Sequence, residues 1–201
     1  MTAIGDLCTT VRGWLAIGPD VYPDEVVTSW VRMAEEFLSE NLRVKHMIQI
    51  DWSDLVEGRV LLPSDWQELD YVRFKDSKPL RYAPRNEFFG PDYNMNYRFT
   101  IVGNYIVVGK VDATSGVEVE IAYYQSIPPL GDEPNWAMTH ASRLYVLCTC
   151  WHAAMFTIED PRVSLWEDKT YTFVNDMNKA HILSKSHGSI LTSNLKKRSF
   201  G

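Results

Sequence analysis

Three cysteines, Cys8, Cys148 and Cys150, are too few and too unevenly spaced for a disulfide framework. They read as reduced thiols of a cytosolic product. No apolar run approaches the roughly 20 residues that cross a bilayer. Asp6 and Arg12 interrupt the one N-terminal stretch that could pass for a signal segment, so the expected place of synthesis is the cell interior. Positive charge is also scarce. Lys and Arg number 20 against 26 Asp and Glu, a net charge of −6 with a pI near 5.4, the wrong sign for a general nucleic-acid binder. The chain has no Gly-rich phosphate loop, no HxxxH pair, no nucleophile elbow and no repeat with a period of roughly 20–50 residues.

What is present is enough apolar side chain to fold. Over 201 residues, 45% are hydrophobic and 23% charged, which excludes disorder throughout. A globule of this length buries roughly 70% of the surface of its unfolded chain, so neither a metal nor a disulfide staple is required. The charge is unevenly placed. From Ser184 to Gly201 the charged residues are Lys185, Lys196, Lys197 and Arg198, so this tail is +4 and the body from 1 to 183 is −10. An acidic body with a basic tail suits a tail that seeks an acidic surface.

Periodicity divides the chain into helix, strand and helix again. Ile4, Leu7, Val11, Trp14 and Leu15 recur at helical steps behind a Thr2 cap, and Gly18-Pro19 ends that first helix near residue 17. The second, over 23–41, opens on Pro23 with Asp24 and Glu25 at the positive end of its dipole. Its apolar stripe is Val26, Val27, Trp30, Val31, Ala34, Phe37 and Leu38, with Arg32, Glu35, Glu36 and Glu40 opposite. Residues 44–125 are β-rich. Met47–Ile50 and Val60–Leu62 read as short strands, Ser64 or Asp65 caps a helical turn through Leu69, and Tyr71–Phe74 pairs with Leu80–Ala83. Glu87–Phe89 makes one turn. Phe99–Val108 is a hairpin around Gly103-Asn104, and after a turn at Asp112–Gly116 the alternation from Val117 to Tyr123 completes a three-stranded meander with one wet face. Ile127-Pro128-Pro129-Leu130 is a stiff connector. Helices follow at about 137–158 and, with Asp160 as cap and Pro161 in the first turn, at 161–183. His187-Gly188 ends regular structure. The fold expected is α+β: an antiparallel bundle of the N- and C-terminal helices, an inserted β-rich region, and an extended basic tail over 184–201.

Candidate chemistry is thin. Cys148 and Cys150 lie about 200° apart on a helix and cannot converge on a metal. Cys148 and His152 share a face, but two ligands do not make a site. Buried thiols in a helix interface fit these residues better. His46, His140, His152, His181 and His187 have no Ser or Cys partner at a recognisable spacing. The pairs Glu35-Glu36 and Asp132-Glu133 read as solvated charge. Trp52, Trp66 and Trp136 read as core or subunit contacts rather than a ligand box. No enzyme, metal or cofactor is expected.

Several short pieces in fixed order carry a resemblance. They are the helix from Tyr22-Pro23-Asp24-Glu25 through Leu42-Arg43; Leu62-Pro63-Ser64-Asp65-Trp66-Gln67-Glu68-Leu69 leading to Val72-Arg73; Lys78-Pro79-Leu80 through Glu87-Phe88-Phe89 to Thr100-Ile101-Val102-Gly103-Asn104; and Ile121-Ala122-Tyr123-Tyr124 with Ile127-Pro128-Pro129-Leu130 and Asn135-Trp136. Trp166-Glu167 and Gly188-Ser189 continue them. From about Pro23 to Gly201 the chain resembles the adaptor proteins of tailed-phage head-to-tail connectors. It departs at Cys148, Cys150, Trp151 and His152, where similar proteins tend to have smaller residues.

The resemblance implies a structural virion protein, assembled in the host cytoplasm and placed in the head–tail neck. It would form a ring, typically twelve-fold, beneath the portal, and continue the DNA channel towards a tail or nozzle protein. DNA would pass without sequence-specific binding, and no membrane is involved. The C-terminal segment, with Lys185, Leu191, Leu195, Lys196, Lys197, Arg198 and Phe200, would bind the portal, loose in the free subunit and ordered when docked. With 7 Trp, 10 Tyr and 8 Phe, some aromatics are expected at subunit contacts; Trp30, Trp66, Trp136 and Trp166 are the candidates. The net-acidic body would let DNA slide. The alternatives are another neck ring (a stopper or tail-completion protein) and a small nucleic-acid-binding accessory protein working through the basic tail.

Overall fold

A computed structural model of the chain describes residues 2–18, 20–90, 97–109, 117–156 and 161–198, with side chains as far as Lys185. The chain divides into two compact units, Met1–His46 with Ser126–Gly201, and Met47–Gln125.

The first unit is helical. Helix α1 (Ala3–Leu15) starts where the Thr2 hydroxyl accepts a hydrogen bond from the Gly5 amide, and ends at Ala16 in the left-handed region. Helix α2 (Asp24–Asn41) opens with Pro23 in the cap position, and Arg12 of α1 pairs with Asp24 at 2.6 Å. The helix expected over 137–158 is two: α4 (Trp136–His140), capped by the Asn135 side chain on Met138 N, and α5 (Ser142–Phe156). Helix α5 packs against α1, α2, α4 and the last helix, α6 (Val163–Arg198). Buried residues fill every face of α5 from Leu144 to Cys150, the composition a central helix requires. On α6, Thr170, Val174, Met177 and His181 form the inward stripe. The side chain of Asn178 accepts from Arg43 N and donates to Asn41 O, closing the C-terminal end of α2.

Three expectations are corrected here. Helix α6 begins at Val163, after a turn at Pro161 and Arg162; the proposed cap Asp160 lies outside the described residues. The backbone also continues helical through His187-Gly188 to Arg198, so the segment 184–198 is not extended. One glycine costs a helix only about 1 kcal/mol. Thirdly, Glu35 is not solvated. It is 5% exposed, and its carboxylate pairs with Arg32 at 2.7 Å, accepts from Leu130 N at 2.6 Å and accepts from the Tyr145 hydroxyl. Ser39 one turn on accepts from Ile127 N at 2.9 Å. The buried face of α2 is thus wider than its apolar stripe.

The second unit holds two sheets among the described residues. Antiparallel strand β7 (Glu118–Gln125) lies between β1 (Ile48–Asp54) and β3 (Trp66–Phe74). The other sheet has the order β2 (Arg59–Leu61), β6 (Tyr105–Val108), β5 (Arg98–Val102) and β4 (Arg81–Tyr82), with β4 and β5 parallel. A short helix α3 (Arg85–Phe88) covers the expected turn near Glu87. Alternate residues Val119, Ile121 and Tyr123 of β7 share one core with Val72, Val60, Phe99, Ile106 and Val108, drawn from both sheets.

The hairpin stands where it was read, with Val102 opposite Tyr105 and Gly103 at φ +59 in the two-residue turn. Other expectations fail. Trp66–Leu69 is strand rather than a helical turn, because β-bulges let β3 keep pairing with β7. Tyr71–Phe74 pairs with β7, and Leu80–Ala83 meets its expected partner only through Leu80 N, which donates to Val72 O at 2.7 Å, while Arg81 and Tyr82 join β5. The third strand of the supposed meander is β7, the buried centre of the other sheet rather than a half-wet edge; the turn at Asp112–Gly116 lies outside the described residues. Glu120 of β7, 3% exposed, is met by Arg73 at 2.8 Å and by the Tyr71 hydroxyl.

Two predictions follow from these buried carboxylates. Glu35→Ala strands the Leu130 amide and the Tyr145 hydroxyl, so urea unfolding should show a loss of about 3–5 kcal/mol. Exposed Glu36→Ala should stay within about 0.5 kcal/mol; equal losses would remove Glu35 from its role. Hydrogen bonds from Arg73, then Tyr71, hold the Glu120 carboxyl below its usual range. Its stabilisation is therefore present above the ordinary Glu value of about 4.3 and lost as pH falls through the lower folded value. Melting temperature measured against pH should show a flatter acid limb for Glu120→Gln than for the wild-type chain.

Candidate functional site

The residues expected to meet partners are distributed unevenly. Trp30 is 1% exposed, packed edge-on against Tyr22 and near Phe156. It belongs to the core of the helical unit rather than to its surface, because the α2 stripe that carries it is the inward one. Trp66 is half-buried against the β-unit core. Trp166 lies at the start of α6, 5.8 Å from the half-exposed ring of Trp14. Trp136 opens α4 beside a stack in which the His46 and His140 rings lie 4.1 Å apart and 11° from parallel. Burial, the facing His140 and neighbouring Lys45 all lower the pKa of His46.

In the C-terminal segment Lys185 is exposed. Leu191, Leu195, Lys196, Lys197 and Arg198 belong to the helical backbone of α6, their side chains beyond those described, and Phe200 lies outside the described residues. Exposed apolar residues mark the preceding part of α6. Tyr171 and Ile182 fall on one face and Leu165 and Leu183 on another; Ile182 is 64% exposed. Such residues on a well-packed helix leave apolar area open to a partner.

The cluster around Cys148 is packing. Both Cys148 and Cys150 are fully buried, and burial pushes the Cys150 thiol up to about 12 and the Cys148 thiol higher still, away from the reactive thiolate form. Trp151 joins Phe37 and Tyr171 in edge-on and tilted contacts, and burial lowers the pKa of His152. Among the described residues no three His, Cys, Asp or Glu side chains converge as metal ligands. No described helix is long and apolar enough to cross a membrane.

Two features escaped the sequence reading. One is the Glu35–Ser39 pair that grips the connector, signalled only by a polar step of four on the edge of an apolar stripe. The other is a pocket of about 560 Å³ in the β-rich unit, lined by Lys78, Arg81 and Arg98 with Ser77, Pro79 and Tyr97. Its cations are spread over 21 residues of sequence and become neighbours only through the parallel β4–β5 pairing.

No curated protein matches the chain. The sequence model of a family described as SU10 adaptor protein matches residues 1–189. This agrees with the resemblance to head-to-tail adaptors, and extends it over the first helix. With the match covering most of its length, the chain belongs to the SU10 adaptor protein family.

Proposed function

We propose that the protein is the head-to-tail adaptor of a tailed phage. Copies close into a ring, twelve-fold by the resemblance, beneath the portal; the ring continues the DNA channel and hands it to a tail or nozzle protein. The observation that carries this reading is α6, which has 36 residues and so spans about 54 Å. One helix thereby joins a packed segment, an apolar exposed segment and a terminal stretch that carries four cations and no acid in an acidic chain.

Each part has a physical role in the reading. Trp166 with Trp14, together with Tyr171 and Ile182, supplies aromatic and apolar area for a neighbouring copy. Trp136 and Trp66 are secondary contacts. Lys185, Lys196, Lys197 and Arg198, with Leu191, Leu195 and Phe200 as apolar anchors, dock on the portal. Each exposed charge contact contributes only about 0–1 kcal/mol, so portal affinity comes from repetition round the ring. A stopper or tail-completion ring would share the apolar contacts but not the portal contact.

The test is native mass measurement of the full chain mixed with a portal ring. The expected result is stoichiometric decoration by the intact chain. Truncation after Leu183 should lose it while preserving the circular dichroism of the rest. A truncated chain that still decorates the portal assigns docking elsewhere. The accessory-protein alternative is tested by gel shift at physiological salt, where an adaptor alone shows no appreciable shift.

A further inference from the structure

The sheet edges of the β-rich unit are finished in different ways. Strands β2 and β4 are cut to three and two residues. The outer side of β3 receives Leu80 N on Val72 O at 2.7 Å. Strand β1 is the exception. It runs seven residues and is paired with β7 on one side only. It holds no Lys, no Pro and no bulge, the devices that commonly keep an edge from pairing; its charges are two acids, Asp51 and Asp54.

Register tells which backbone groups of β1 are open. Asp54 stands opposite Glu118, and the next residue, Leu55, donates its amide to Val117 O at 2.9 Å. Leu55 is therefore in a hydrogen-bonded pair, and such pairs alternate along an antiparallel ladder. Ser53, Asp51 and Gln49 turn their backbone groups to β7, whereas Ile48, Ile50, Trp52 and Asp54 turn theirs to the outside. Trp52 N agrees: it donates to the adjacent Asp51 carboxylate at 2.8 Å and not to a strand. Among the described residues no strand meets Ile48, Ile50 or Asp54 on that side.

Side chains divide the same strand by chemistry. Asp51 stands opposite Ile121 and shares its face; Ile50 and Trp52, 57% and 45% exposed, take the other. Asp54 and Glu118 are two acids side by side, and Lys75 meets only Glu118, at 3.4 Å. Among the described residues neither Asp51 nor Asp54 has an ion pair. This pattern does not suit a second copy. Another β1 laid antiparallel and centred sets Asp51 against Asp51. Strands β2 and β4 are too short to fill the edge, and β3 brings Glu68 and Asp70.

We propose that β1 accepts an extended segment of another protein as an added strand, one whose side chains alternate between apolar and basic. The outward backbone groups of Ile48, Ile50 and Asp54 form the new ladder, and Trp52 N joins it as Asp51 turns to a cation of the partner. Apolar side chains of the partner cover Ile50 and Trp52, and the cations between them fall on the side of Asp51. A cation opposite Asp54 relieves its repulsion from Glu118. The inference stands on the β-rich unit and does not depend on ring closure or on the portal contact.

The experiment is fluorescence anisotropy of a labelled peptide alternating Lys and Val, seven residues long to match β1, titrated with the full chain at about 50 mM salt. Saturable binding is expected, weakened at least about tenfold when Glu replaces Lys in the peptide. Ile50→Pro removes an amide that β7 does not use, so the circular dichroism should hold while binding weakens at least about tenfold. Ile50→Ala keeps that amide and should weaken binding about threefold, which guards against loss of fold in the proline variant. Asp51→Asn should weaken it about threefold and reduce its salt dependence. Amide hydrogen exchange over 48–54 should slow when the peptide is bound. Absence of saturable binding by the wild-type chain overturns the proposal. So does equal binding of the Glu peptide, unchanged affinity in Ile50→Ala, or full affinity in a folded Ile50→Pro chain. Self-association of the wild-type chain that Ile50→Pro abolishes overturns it too, since a second copy then fills the edge.

Discussion

A carboxylate taken out of water must be met by donors, and Glu35 decides where the helical unit closes because its donors come from distant parts of the chain. Arg32 comes from its own helix, Leu130 N from the connector that follows β7, and the Tyr145 hydroxyl from the central helix α5. Burial, then the hydrogen bond to Glu35, raises the pKa of Tyr145, so the phenol remains the donor. Ser39 takes the Ile127 amide a turn away, and Arg32 donates to Leu130 O at 2.9 Å. Two prolines at 128 and 129 leave the connector few amides of its own, and the side chains of α2 use the ones that remain. From the other side, Ala3 N and Ile4 N at the start of α1 bond the carbonyls of Asp132 and Gly131. These amides have no partner within their own helix. One short segment therefore satisfies α1 and α2 together and delivers α4 and α5 to their packing positions.

The same logic treats charge differently in the β-rich unit. Glu120 sits in the central strand, where no backbone donor is spare, and side chains of the adjacent strand meet it. Arg73 of β3 thus gives its charge to the neighbouring strand while its side chain stays partly exposed. Lys78 before β4, Arg81 of β4 and Arg98 of β5 line a pocket of the same unit. The difference arises from topology: β3 lies beside the acidic residues of β7, whereas β4 joins β5 in parallel and brings Arg opposite Arg.

Local signals were legible in the sequence where the physics is local. The α1 cap, the α2 stripe and the Gly103-Asn104 hairpin each depend on residues within one or two turns of one another, and each stands where periodicity placed it. Pairings between distant segments were not legible. Val117–Tyr123 alternates like a half-wet strand, yet β7 is the centre of its sheet, paired with β1 and β3 and buried on both faces, a placement no period of two can announce. Glu35 was read as solvated because a carboxylate beside Glu36 has no apolar signature; its donors lie about a hundred residues away. Trp30 illustrates the converse, since an aromatic on a buried stripe and one at an interface look identical until burial separates them. The helical continuation past Gly188 is not legible because His187-Gly188 reads as a stop, although one glycine costs a helix only about 1 kcal/mol.

That continuation bears on how an adaptor would hold a portal. A loose tail gives up conformational entropy on docking in every subunit, roughly 1–2 kcal/mol for each residue ordered. A segment already helical gives up less, so weak charge contacts go further towards net affinity. On the proposed reading each copy therefore presents its basic terminal segment on backbone that is already helical. Repetition round a ring then converts a contact too weak to hold one chain into one that holds the assembly, and a single chain remains free to add or leave while the ring closes.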